Sequence, residues 1–119
     1  MFLETKKEGE AQVQLEPWRK ALLDGADAIE RGGHCQGTLV AGSAMCARGA
    51  LNFATTGNAV SFGPSVLSSK VAREADRRLA DFLNLKQVGQ YDDRVSGWNN
   101  TPGRTGAEVV NAMRACARQ

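Results

Sequence analysis

The sequence predicts a mostly α protein (α+β), with about four helices and a small two-stranded β-hairpin between helix 1 and helix 2. Three observations lead to this prediction. Apolar residues recur at three- and four-residue steps in several segments, which is typical of helices with one buried face. A short run with β-branched residues precedes a small-residue turn, as in a hairpin. Near the end of the chain, a Thr-x-x-Glu pattern marks the start of a last helix.

The first helix is predicted to begin at residues 16–18, Glu-Pro-Trp, and to end at residues 32–33, Gly-Gly. Proline is tolerated in a first turn because its missing N–H would have no partner there. Glycine ends helices readily because it accepts the left-handed conformation. The hairpin is then expected over residues 35–40 and 44–45, with its turn at residues 41–43.

Three further helices complete the prediction. The second covers about residues 46–54, where small side chains such as that of Gly49 allow close approach to a neighbour. The third is expected from Ser65 as N-cap to about residue 86, and the last from the capping box of Thr105 and Glu108. Residues 87–103 are predicted to be a long polar loop, a kind of segment that often carries function.

The composition points to one domain, with residues 1–14 as a flexible N-terminal arm and residues 15–119 as a single globular domain. A net charge of +2 is by itself too small to indicate nucleic-acid binding, which needs a clustered basic face. No apolar run approaches the ~20 residues of a membrane span, so we expect no membrane partner. The three cysteines are an odd, widely spread set, so we expect reduced thiols and a cytoplasmic location.

Five short stretches together have a familiar pattern: residues 29–33 (Ile-Glu-Arg-Gly-Gly), 35–37 (Cys-Gln-Gly), 45–51 (Met-Cys-Ala-Arg-Gly-Ala-Leu), 98–100 (Trp-Asn-Asn) and 104–110 (Arg-Thr-Gly-Ala-Glu-Val-Val). They resemble a family of small bacterial and phage single-domain proteins that has a Cys-x-x-Gly-Ala-Leu helix start, a Trp-Asn-Asp-like corner and a Thr-x-x-Glu terminal helix. The resemblance runs from about Trp18 to the end. It implies a single-domain fold and a mobile-element origin, and it supplies no activity. Asn100 stands where the pattern more often has Asp, and His34 where an aromatic residue is common.

Cys46 is the sharpest catalytic candidate, because a helix N-terminus favours a thiolate and His34 is available as a base. The alternative is that Cys46 is a small core residue, which is the usual role of a free cysteine. A zinc site made from His34, Cys35, Cys46 and Cys116 lacks the paired ligand spacing of structural sites. The glycines form no phosphate-binding or dinucleotide pattern, so we expect neither a metal nor a cofactor.

A second alternative function is nucleic-acid binding through Arg73, Arg77 and Arg78 of the third helix. Acidic residues interleaved along the same helix favour an ordinary solvated face instead.

The function expected from the sequence is that of a small non-enzymatic protein that binds another macromolecule. We expect the partner to be another protein or a second copy of this chain. The predicted binding surface is the loop from Tyr91 to Arg104 together with the hairpin tip. Its named residues are Tyr91, Trp98, Asn99, Asn100 and Arg104.

Overall fold

The structure, a computed structural model, describes residues 15–119, and the predicted arm of residues 1–14 lies outside them. The described residues form five helices and one two-stranded antiparallel sheet: α1 (Pro17–Gly32), β1 (Val40–Ala41), β2 (Ala44–Met45), α2 (Ala47–Thr56), α3 (Lys70–Phe82), α4 (Arg94–Asn99) and α5 (Gly106–Ala117). The mostly α class and the hairpin between the first two helices are therefore confirmed. Among these residues, no helix has the length and apolarity needed to cross a membrane.

The central helix is α1, which packs against α2, α3 and α5. Its apolar stripe is buried, as the sequence periodicity predicted, and Leu22 is fully inside. Leu51 from α2, Leu79 from α3 and Met113 from α5 are equally buried and belong to the same core. Full burial of such side chains contributes about 1.5–3 kcal/mol each, so this core supplies most of the driving force for folding.

The hairpin lies directly on the first turn of α2. Val40 pairs with Met45 in its short ladder, and the Cys46 N–H donates to the carbonyl of Leu39 at 3.1 Å. A Cβ atom added at Gly49 would overlap that same carbonyl oxygen. Glycine is therefore required at position 49, where the hairpin backbone approaches α2 closely. The small residues of this helix had predicted such a close approach.

The third helix begins at Lys70, and its N-cap is Ser69 rather than the predicted Ser65. The Ser69 hydroxyl accepts a hydrogen bond from the N–H of Ala72 at 3.0 Å. The side chain of Asn52 holds the preceding segment in a loop, since its Oδ1 accepts from the N–H of Ser68 at 2.8 Å. The prediction placed the helix start too early because this long-range contact keeps residues 65–68 non-helical.

The helix that the sequence did not predict is α4, which lies within residues 87–103, where only a loop was expected. It has six residues, and its buried side chains are Val95 and Asn99, four positions apart on one face. Its apolar residues that pack on the core are Val95 and, partly buried, Trp98, and one such pair within six residues is too short a pattern to predict a helix. The prediction of a loop was therefore wrong for this segment.

Candidate functional site

The side chain of Asn99 joins three separate parts of the chain at the end of α4. Its Oδ1 accepts hydrogen bonds from His34 Nε2 at 2.9 Å and from the N–H of Ala47 at 3.0 Å. Its Nδ2 donates to the carbonyl of Cys35 at 3.1 Å and to Asn100 Oδ1 at 2.9 Å. Both donors and both acceptor positions of the amide are occupied, so this 1 % exposed side chain is fully satisfied.

The side chain of Asn99 caps the start of α2. Ala47 is the first residue of that helix, and an N–H in a first turn has no partner within the helix. Asn99 supplies the missing acceptor from another element, while Cys46, the N-cap, accepts from the N–H of Gly49 through its sulfur at 3.3 Å. The helix start is therefore capped twice, once locally and once by α4.

The loop before the hairpin is fixed to the same corner. Gln36 Nε2 donates to the carbonyls of Asn99 at 3.0 Å and Thr101 at 2.9 Å, and the N–H of Gly37 donates to Asn100 Oδ1 at 2.9 Å. Three of the stretches that carry the family resemblance meet here: residues 35–37, 45–51 and 98–100. We call this cluster the Asn99 corner.

The two catalytic candidates, Cys46 and His34, both lie at this corner, each with another partner. Cys46 is only 8 % exposed, and burial raises the pKa of its thiol, although the N–H groups of Gly49 and Arg48 act in the opposite direction. His34 Nε2 bonds to Asn99, and within residues 15–119 no hydrogen bond joins the His34 ring to Cys46. The geometry favours Cys46 as a protonated helix cap.

The other two cysteines also have raised thiol pKa values, because Cys35 is partly buried and Cys116 is fully inside the core. Among residues 15–119, no group of three or more His, Cys, Asp or Glu side chains is arranged to hold a metal ion.

A groove of about 470 Å³ opens on the other side of α4, between this helix and the segment that follows α3. Trp98 is half-buried, packs against the core and is one of the residues that line the groove. The Arg104 guanidinium lies over the Trp98 ring, 4.6 Å from the ring centroid, and its Nε donates to the Trp98 carbonyl at 3.1 Å. A cation stacked on an indole face is a favourable contact that fixes both side chains. We call this feature the Trp98 groove.

Two large apolar side chains are exposed in residues 88–93, the segment that contributes Val88 and Asp93 to this groove. Val88 is 85 % exposed, and Tyr91 is 77 % exposed. The segment is held by Arg94, whose guanidinium pairs with Asp81 at 2.9 Å and Asp92 at 2.8 Å.

The predicted binding residues therefore divide into two groups. Trp98 and Arg104 line the groove and Tyr91 is exposed near it, whereas Asn99 and Asn100 bind the loop before the hairpin. The hairpin tip is outside the groove, and its Ser43 hydroxyl donates to the carbonyl of Gly32 at 2.9 Å.

Sequence reasoning missed three residues at the groove, namely Leu85, Lys86 and Val88, which precede the predicted surface of residues 91–104. Val88 could have been found, because it is an isolated apolar residue in a polar, glycine-containing stretch. Arg94 lies within the predicted loop but was not named among its binding residues.

The three arginines of the nucleic-acid alternative do not share one face of α3. Arg78 lies over the ring of Trp18, 4.5 Å from its centroid, and pairs with Glu74 at 3.1 Å. Arg73 and Arg77 are exposed and line a concavity that Arg78 does not line.

Comparison with known protein families gives one finding, a match between residues 15–119 and the model of a family of unknown function, DUF6197. Comparisons with curated proteins and with solved structures gave no match. The matched range contains every helix and strand described above, including the Asn99 corner and the Trp98 groove. The expected membership in a family without an assigned activity is confirmed, whereas its bacterial and phage origin stays a prediction. The chain belongs to DUF6197, a family of unknown function.

Proposed function

We propose that this protein is a non-enzymatic interaction module that binds a segment of another protein in the Trp98 groove. The observation that carries the proposal is the strong exposure of Val88 at a concave site that is also lined by a half-buried tryptophan, with a second exposed apolar side chain, Tyr91, three residues further along the chain. Aromatic side chains in pockets are frequent anchors of protein interfaces, where a few residues supply most of the binding free energy. The cytoplasmic location and the mobile-element origin expected from the sequence remain part of this proposal.

The groove is held in shape by contacts on both sides. Behind it, Asn99 attaches α4 to the start of α2, and in front Arg94 ties the chain after α3 to two carboxylates. A site that is ordered before binding loses less conformational entropy when a partner binds. This rigidity supports the recognition of a partner segment over a purely structural role for the exposed side chains.

The charges around the groove indicate the chemistry of the partner. Lys86, Arg94 and Arg104 line it, and Asp93 is the one carboxylate among its lining residues. Arg94 is neutralised by its own ion pairs, whereas Lys86 forms no salt bridge with any residue in 15–119. We therefore expect an extended segment with an apolar side chain that packs on the exposed Val88 and a neighbouring carboxylate for Lys86. Complementary charge of this kind increases specificity and the association rate.

The test is a selection of random peptides displayed on phage against the purified protein, followed by affinity measurements on the enriched sequences. We expect an apolar residue next to Asp or Glu, with binding weakened at least about 10-fold by Val88→Asp or Lys86→Glu, as for residues near an interface centre. The matched control is Phe62→Asp, since Phe62 is 87 % exposed and lies outside the groove. This control should leave peptide binding unchanged.

Two results would contradict the proposal. One is the absence of any peptide that binds wild type more tightly than Val88→Asp. The other is concentration-dependent self-association that Val88→Asp abolishes, which would identify the occupant of the groove as a second copy of this chain.

A further inference from the structure

A line of cations runs along one face of α3. Lys70, Arg73 and Arg77 are spaced by three and four residues, so they lie above one another on the helix surface. All three are exposed, and they line an open concavity of about 410 Å³. With a rise of 1.5 Å per residue, this cationic stripe extends about 10 Å along the helix axis.

The acidic residues in the same concavity do not neutralise the stripe. Each acid forms a salt bridge of 2.8–3.1 Å with an arginine that does not line the concavity: Asp76 with Arg48, Glu74 with Arg78 and Asp92 with Arg94. Within residues 15–119, none of the three stripe cations forms a salt bridge. The interleaved acids, which had predicted an ordinary solvated face, are therefore neutralised by arginines other than those of the stripe. Three positive charges remain uncompensated in a chain whose net charge is +2.

A preformed loop with an exposed aromatic ring adjoins the stripe. Asn52 fixes both ends of this loop, because its Nδ2 donates to the carbonyls of Ala59 at 3.0 Å and Val66 at 2.9 Å. Phe62, between these two anchors, is 87 % exposed. Beside it lies a second groove of about 540 Å³, and Arg73 lines both this groove and the concavity of the stripe. The ring and the cations thus form one continuous surface.

We infer that this surface binds single-stranded nucleic acid, with phosphates along Lys70, Arg73 and Arg77 and a base stacked on Phe62. Proteins that bind single strands without sequence preference combine a positive track for the backbone with aromatic rings for the bases. We assign the Phe62 ring to a base and not to an apolar side chain of a peptide, because the groove beside this ring continues through Arg73 into the row of three cations. The inference is independent of the Trp98 groove, since none of the four residues assigned to phosphate or base contacts lines that groove.

The test is fluorescence anisotropy of a labelled single-stranded 15-mer, as DNA and as RNA, titrated with the full chain at 50–200 mM KCl. Three neutralised phosphates predict a slope of log K against log[salt] of about −2, which is roughly a 20-fold loss of affinity across that range. Arg77→Gln should make the slope shallower by about 0.7. The matched control is Arg31→Gln, because Arg31 is exposed on α1, lies outside the stripe and forms no salt bridge within residues 15–119, so this variant should leave the slope unchanged.

The variant Phe62→Ser tests the contribution of the aromatic ring separately from that of the three cations. It should weaken binding about 10-fold at every salt concentration with an unchanged slope, since stacking on an aromatic ring does not release counterions.

Three outcomes would overturn the inference: no saturable binding at 50 mM KCl, an equal effect of Arg77→Gln and Arg31→Gln, or a duplex that binds as tightly as the single strand. Binding of polyglutamate with the same dependence on Arg77 would show instead that the stripe recognises an acidic protein.

Discussion

Replacement of Asn99 with alanine tests whether the Asn99 corner holds α4 on the rest of the fold. The substitution removes four hydrogen bonds, to His34, Ala47, Cys35 and Asn100. Each neutral hydrogen bond contributes about 1 kcal/mol net, so the free energy of unfolding should fall by about 4 kcal/mol. Because the N–H of Ala47 is buried and would be left without an acceptor, we expect the loss of unfolding free energy to be at least this large.

The measurement is urea unfolding followed by tryptophan fluorescence, because Trp98 lies next to the substituted residue. The control is Asn100→Ala, which removes two hydrogen bonds to Asn100 Oδ1 at an exposed position. Water can replace those contacts, so we expect a loss of about 1 kcal/mol or less. A loss at Asn99→Ala below 1 kcal/mol, or one equal to that at Asn100→Ala, would refute the reasoning that the buried amide is the main anchor of α4.

Three further predictions concern packing, charge and the thiols. Gly49→Ala should lower the melting temperature, with a cost of about 2 kcal/mol or more from overlap with a fixed backbone, whereas Gly97→Ala, with open space around the added methyl, should be neutral or stabilise α4 by up to about 1 kcal/mol. Arg48→Met should cost about 3–5 kcal/mol in urea unfolding by leaving Asp76 buried and unpaired, and adding Asp76→Leu should recover most of that loss. Mass spectrometry should find Cys46 alkylated slowly in the folded protein below about pH 8.5, because burial raises the pKa of its thiol, and fast native labelling would contradict this.

The elements predicted correctly from the sequence are those whose signal is local and repeated. Helix α1 has an apolar stripe over four turns, and α5 has a capping box in which Thr105 and Glu108 bond to each other's backbone N–H. The start of α3 was predicted too early because Asn52, which holds the preceding loop, comes from another helix. Helix α4 was missed because its burial depends on Val95 and on contacts of Asn99 with distant residues.

The candidate site shows the same limit. Trp98 and Arg104 are six residues apart, so their contact could be expected from the local sequence. Three of the four partners of the Asn99 side chain are 52 to 65 residues away along the chain, and no spacing rule relates them to Asn99. The charges of α3 could not be interpreted for the same reason. Whether an acid neutralises the cations beside it depends on competing arginines, and for Asp76 the competitor is Arg48, from another helix.

Helix α4 connects the fold to the proposed function, because its two faces serve different contacts. One face carries Asn99 into the interior, and the other presents Trp98 to the groove. A substitution at Asn99 should therefore weaken partner binding only indirectly, by raising the fraction of molecules in which α4 is displaced, so its effect should shrink in stabilising osmolyte. A substitution at Val88 removes a contact without altering that equilibrium, so its effect on affinity should persist under the same conditions. Measuring both variants with and without osmolyte distinguishes a residue that positions the groove from one that contacts the partner.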